Sequence, residues 1–101
     1  MQVDQIHVEV VFVGFPRLYG ILQGDRVKHA FAGKQISDLI DDLALRYGKE
    51  VRESLLTKGT ETLDPTIKIM INRDVLKRGD LGQRAIMDGD EITFLRLLAG
   101  G

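Results

Sequence analysis

Ile36-Ser37-Asp38-Leu39-Ile40-Asp41-Asp42-Leu43-Ala44-Leu45-Arg46-Tyr47-Gly48 is the stretch on which the fold turns. Ile36, Leu39, Ile40, Leu43 and Tyr47 recur three or four positions apart and make one apolar stripe, while Asp38, Asp41, Asp42 and Arg46 point elsewhere. That period predicts an amphipathic helix with one face to bury. Ser37 is the expected N-cap, Asp38 suits the positive end of the helix, and Gly48 stands where a left-handed C-terminal residue is wanted. A shorter helical segment over 49–56 offers Val51 and Leu55 at a spacing of four.

The flanks supply a sheet for that helix. Residues 6–13 are rich in β-branched and aromatic side chains, with Ile6, Val8, Val10 and Phe12 as the core face and His7, Glu9, Val11 and Val13 opposite. Residues 14–25 contain Gly14, Pro16, Gly20 and Gly24 at a spacing that fits neither a dinucleotide fingerprint nor a phosphate loop, and they read as a plain connection. A second strand over 26–31, with Val27, His29 and Phe31 on one side, pairs antiparallel with the first. Beyond the helices, 58–65 is polar and turn-rich, and 66–72 alternates with Ile67, Ile69 and Ile71 inward and Lys68, Met70 and Asn72 outward. Asn72-Arg73-Asp74 turns into a brief strand over 75–77, Leu81 and Ile86 plug the core, and Asp88-Gly89-Asp90 turns into a last strand over 91–97. There Ile92 and Phe94 face one way and Thr93, Leu95 and Leu97 the other. The expectation is an α+β domain over 1–97, with a mixed sheet of four to five strands, one main helix on one face and the other face left to solvent or a partner. Residues 98–101 are expected to form a flexible tail.

Composition narrows the function classes. At 101 residues the chain fits one small domain, and its net charge of -1 gives no basic field for a phosphate backbone, so nucleic acid is not an expected partner. With no cysteine, disulfides, zinc-thiolate sites and a thiol nucleophile are all removed. Residues 1–5 lack the charged start and apolar block of a signal peptide, and no apolar run is long enough for a bilayer. A cytoplasmic address without membrane contact is the expectation.

Candidate reactive groups resolve into structural roles. His7 and His29 have no second ligand at metal spacing, and Asp88, Asp90 and Glu91 lack the twelve-residue calcium loop. Asp41 and Asp42 are adjacent on a helix, point about 100° apart, and read as solvated charge rather than an acid-base pair. No serine has elbow glycines or a histidine base. No active site is expected on this chain. Two features are left over: the ending Leu98-Ala99-Gly100-Gly101, whose last two positions carry no Cβ, and the outward apolar residues Val11, Val13, Met70, Leu95 and Leu97, which would form a binding patch at the root of the tail.

The sequence resembles the ubiquitin-like sulfur carriers of the β-grasp fold, the MoaD and ThiS kind, and in particular the small subunit of molybdopterin synthase. The resemblance runs over nearly the whole chain. It rests on Val8-Glu9-Val10-Val11-Phe12, the helix from Ile36 to Leu43, Ile69-Met70-Ile71-Asn72, Asp88-Gly89-Asp90-Glu91-Ile92-Thr93-Phe94 and the closing Ala99-Gly100-Gly101. Prolines common before the tail in that family are replaced here by Arg96 and Leu97.

The resemblance implies a carrier and not an enzyme. An E1-like adenylating enzyme (MoeB/ThiF-like) would use ATP to adenylate the Gly101 carboxylate, and a sulfur donor protein would convert it to a thiocarboxylate, with no cofactor bound permanently. The larger, MoaE-like synthase subunit would then take the tail, which could reach roughly 13 Å at about 3.3 Å per residue. Two other readings stand beside it: a ubiquitin-like protein modifier or tRNA-thiolation carrier using the same Gly-Gly end, and a non-conjugating β-grasp binding module.

Overall fold

The stripe on the 36–47 segment does find a sheet. The computed structural model describes residues 5–60 and 62–96. The chain runs β1 (Ile6–Val13), α1 (Pro16–Leu22), β2 (Arg26–Phe31), α2 (Ile36–Tyr47), α3 (Lys49–Leu55), β3 (Ile67–Ile71), β4 (Asp74–Val75), a 3-10 turn at Arg78–Asp80, and β5 (Glu91–Arg96). The five strands form one mixed sheet in the order β2-β1-β5-β3-β4. β1 and β5 run parallel at its centre, and the remaining pairs are antiparallel. This is a β-grasp arrangement.

Ile36, Leu39, Ile40 and Leu43 of α2 are buried against Val8, Val10, Phe12, Ile69, Ile71, Ile92 and Phe94 of the sheet. Each such side chain contributes about 1.5–3 kcal/mol by leaving water. Phe12 and Phe94 are partners in the parallel register and their rings stack at 5.3 Å between centroids. Phe15 meets Phe12 edge-on at 5.6 Å, so three rings fill the centre from two strands and one loop.

Several local expectations are corrected. Residues 14–25 are not a plain connection, because α1 occupies 16–22 with Leu18 and Leu22 buried. Pro16 starts that helix, a position where its missing N–H costs nothing, and the Tyr19 hydroxyl accepts from Gly14 N–H at 3.0 Å and donates to Phe12 carbonyl at 3.2 Å. The N-cap of α2 is Gln35 and not Ser37: the Asp38 carboxylate reaches back to the N–H groups of Lys34 and Gln35, both at 3.1 Å, and this sets the helix start. Gly48 has positive φ (106°), but its ψ of 174° is extended rather than left-handed helical, so one residue ends α2 and begins α3.

Asp41 and Asp42 are not merely solvated. Asp41 pairs with Arg52 of α3, and Asp42 meets Nε2 of His29, a buried side chain between the rings of Phe31 and Tyr47. The brief fourth strand spans Asp74–Val75 instead of 75–77, after Asn72 takes a φ of 59°. At the far end, the turn at 88–90 holds β1: His7 N–H donates to Asp88 at 2.7 Å, and that bond keeps the Asp88 carboxyl below its usual value.

Two glycines give a paired test. Gly14 has φ +88°, and a Cβ there would lie 2.8 Å from the Arg96 carbonyl oxygen, whereas a Cβ at Gly20 in α1 would meet nothing within 4 Å. Gly14→Ala should therefore lower the unfolding free energy by about 2 kcal/mol, from backbone strain plus the clash. Gly20→Ala should raise it by up to about 1 kcal/mol through helix propensity. Urea denaturation of both variants checks the opposite signs.

Candidate functional site

The face of the sheet away from α2 is organised by register. One row crosses all five strands as Arg26, Val11, Thr93, Met70 and Val75, and the next runs Val13, Leu95 and Lys68. The two rows lie at the end of β5 from which residues 97–101 continue.

The structure thus places Val11, Val13, Met70 and Leu95 on one face, but not equally accessible. Val13 is 42 % exposed and Leu95 and Met70 are half-buried, whereas Val11 is only 7 % exposed between its neighbours Arg26 and Thr93. Val11 is a support beneath the patch and not a contact surface, because it sits on a central strand covered from the two flanking strands by Arg26 and Thr93. Val75, 58 % exposed and directly across from Met70, extends the patch and was missed in the sequence. Its signal was its place beside the Asn72 turn, which fixes the pairing of 75 with 70. Leu97, and the tail residues Leu98, Ala99, Gly100 and Gly101, lie outside the described residues.

Charge frames this apolar area. Arg26 pairs with Glu9 and, at 3.4 Å, with Glu91, so the like-charged carboxylates of two adjacent strands are held by one guanidinium. Lys68 stands beside Leu95 on the other side.

The other face of β5 ends differently. Arg96 follows Ile92 and Phe94 on the helix side, and its guanidinium donates to the Ser54 carbonyl at 2.7 Å, stands 3.8 Å from Asp64, and lies 4.9 Å from the Phe15 ring centroid. The root of the tail is therefore fixed to α3 and to the loop before α1.

Among the described residues no group of three or more His, Asp or Glu side chains could hold a metal ion, and no helix is long and apolar enough to cross a membrane. What the described residues offer is a partly exposed apolar face beside an anchored strand end.

Known proteins share this architecture. The small archaeal modifier protein 1 of Methanosarcina acetivorans is 21% identical with a TM-score of 0.75, covering 97% of this chain and 99% of that one. A chain of the Amycolatopsis orientalis BexX/CysO complex is 24% identical with a TM-score of 0.72, over 93% and 99%. A Pyrococcus furiosus protein named as molybdopterin converting factor subunit 1 is 18% identical with a TM-score of 0.63, over 92% and 99%. At these identities the likeness establishes the fold. No curated protein matches the sequence. The family model described as the ThiS family matches residues 17–101, from the second residue of α1 through every later element to the final glycine. With most of its length matched and the β-grasp sheet in place, this chain belongs to the ThiS family of ubiquitin-like sulfur carriers, small proteins that work with partner enzymes.

Proposed function

We propose that the chain carries sulfur on the carboxyl group of Gly101 and delivers it as the small subunit of a molybdopterin synthase. The observation that supports this most is that the family match extends to Gly101.

A carboxylate is a poor electrophile, since its negative charge is shared by both oxygens. The carboxylate attacks the α-phosphate of ATP in an E1-like adenylating enzyme, pyrophosphate leaves, and the carbonyl carbon becomes reactive with AMP as its leaving group. The terminal sulfur of a donor protein's persulfide then attacks that carbon and displaces AMP. A thiol then attacks the donor's sulfur in the resulting acyl disulfide, forming a new disulfide with the donor as the old S–S bond breaks and the thiocarboxylate leaves. Gly100 and Gly101 permit a close approach of partner groups to the backbone, because neither position has a Cβ. No cofactor resides on the chain, and the catalytic side chains belong to its partners.

The larger synthase subunit is proposed to dock on Val13, Met70, Leu95, Val75 and Leu97, and to take the tail into its own active site. Leu95 sits centrally in that set, beside Val13 on one strand and Lys68 on the other. Leu95→Asp should weaken binding to the larger subunit by about 30-fold or more, in the range of a buried apolar anchor. The variant should keep its unfolding transition, since Leu95 is only half-buried. Titration calorimetry and a thermal melt measure the two quantities, and loss of folding would show that Leu95 belongs to the core.

The function is tested by offering thiocarboxylated protein to the larger subunit with its pterin precursor. Sulfur appearing in the pterin supports the reading. Failure there, together with ladders of lysine-linked conjugates in a lysate, would make the chain a protein modifier; thiolated tRNA would make it a carrier for that pathway.

A further inference from the structure

Arg96 is a charged residue on the buried side of its strand. β5 alternates, so Arg96 shares the helix-facing side with Ile92 and Phe94, both 0 % exposed. Residues 97–101 follow it in the sequence.

Its partners come from three separate stretches. The Ser54 carbonyl, 2.7 Å from Nη2, belongs to the last turn of α3, where no following turn of helix supplies a donor. A cation there also meets the negative end of the helix. Asp64 is oriented by Thr66, whose N–H and hydroxyl bind Oδ1 at 2.8 and 2.7 Å, and Oδ2 stands 3.8 Å from Arg96. The guanidinium carbon lies over the ring of Phe15, 4.9 Å from its centroid. On the backbone side, the Arg96 carbonyl oxygen packs so closely on Gly14 that a Cβ there would come within 2.8 Å. The broad, delocalised guanidinium meets the carbonyl, the carboxylate and the ring at once, and the compact ammonium of a lysine is less suited to all three.

We propose that Arg96 is a positioning residue that fixes where the C-terminal residues leave the sheet. A partner drawing Gly101 into its active site then works from a set pivot, with five residues, 97–101, between that pivot and the carboxyl end. Without the anchor the pivot slips back along β5, and each further residue to be ordered weakens capture roughly 5- to 30-fold, the cost of fixing one backbone residue. The consequence for activation rests on the carrier reading above, whereas the anchor itself does not.

Arg96→Ala, Arg96→Lys and the control Leu81→Ala, all in the full chain, test this. Leu81 packs on the core from the connection before β5, where it borders a groove with Ile36 and Ile40 of α2. In the protein alone, Arg96→Ala should speed amide hydrogen exchange of residues 94–96 by at least about tenfold, while exchange within α2 keeps its order of protection. With the adenylating enzyme and ATP, Arg96→Ala should raise KM for the carrier roughly 5- to 30-fold with kcat nearly unchanged. Arg96→Lys should recover only part of that loss. Unchanged exchange at 94–96, or an equal rise in KM for Leu81→Ala, would overturn the proposal. If the wild-type chain takes no AMP at all, the carrier reading falls, and the exchange measurement still decides the anchor.

Discussion

Appending one alanine after Gly101 is expected to abolish loading of the protein with sulfur while leaving its unfolding transition where it was. The new carboxylate would sit one residue, about 3.3 Å, beyond the position at which the activating enzyme holds its nucleotide. It would also carry a Cβ where two glycines in succession had none. Misplacement by a single ångström can cost about 100-fold in rate, so the expected loss is at least of that size. ATP-pyrophosphate exchange driven by the carrier protein measures the adenylation step. Full activity of the extended chain would mean that the end of the molecule is not its reactive group.

The second large effect concerns the scaffold. Phe94→Ala should remove about 3–5 kcal/mol, a large part of the 5–15 kcal/mol typical of a domain. Phe94 is 0 % exposed, stacks on Phe12 across the parallel β1/β5 pair, and lies two residues before the anchored end of the strand. In urea the midpoint should fall by about 2 M, given a slope of about 1–3 kcal/mol per molar. A fall of only a few tenths molar would mean that the ring is not at the centre of the core.

The sheet and the main helix were legible because burial leaves a period in the sequence. Ile36, Leu39, Ile40 and Leu43 repeat as a helix must, and Ile67, Ile69 and Ile71 alternate as a half-buried strand must, so both elements appear in the structure where the pattern put them. α1 was not legible for the opposite reason. It is short, it offers only Leu18 and Leu22 as buried residues, and Pro16 and Gly20 look like breakers until Pro16 is seen at the first helical position. The helix start was misread because Ser37 is the better capping residue in isolation, while the winning contact is Asp38 reaching back to Gln35.

The site divides along the same line. That Val13, Met70 and Leu95 share a face follows from alternation within each strand, but their grouping into rows depends on register, which the sequence carries only weakly. Register is also what covers Val11 and brings Val75 beside Met70. His29 and Asp42 are thirteen residues apart on different elements, and their pairing is visible only once α2 lies on β2. The contacts of Arg96 are more distant still, since Ser54 is forty-two positions away. Arg96 stood out in the sequence merely as the residue occupying a position often held by proline.

The most direct measurement is the intact mass of the full chain after incubation with an activating enzyme, ATP and a sulfur donor, with the modified residue located by fragmentation. The account predicts a gain equal to sulfur minus oxygen, confined to Gly101. An unchanged mass, under conditions in which the same enzyme and donor load another carrier, would contradict it.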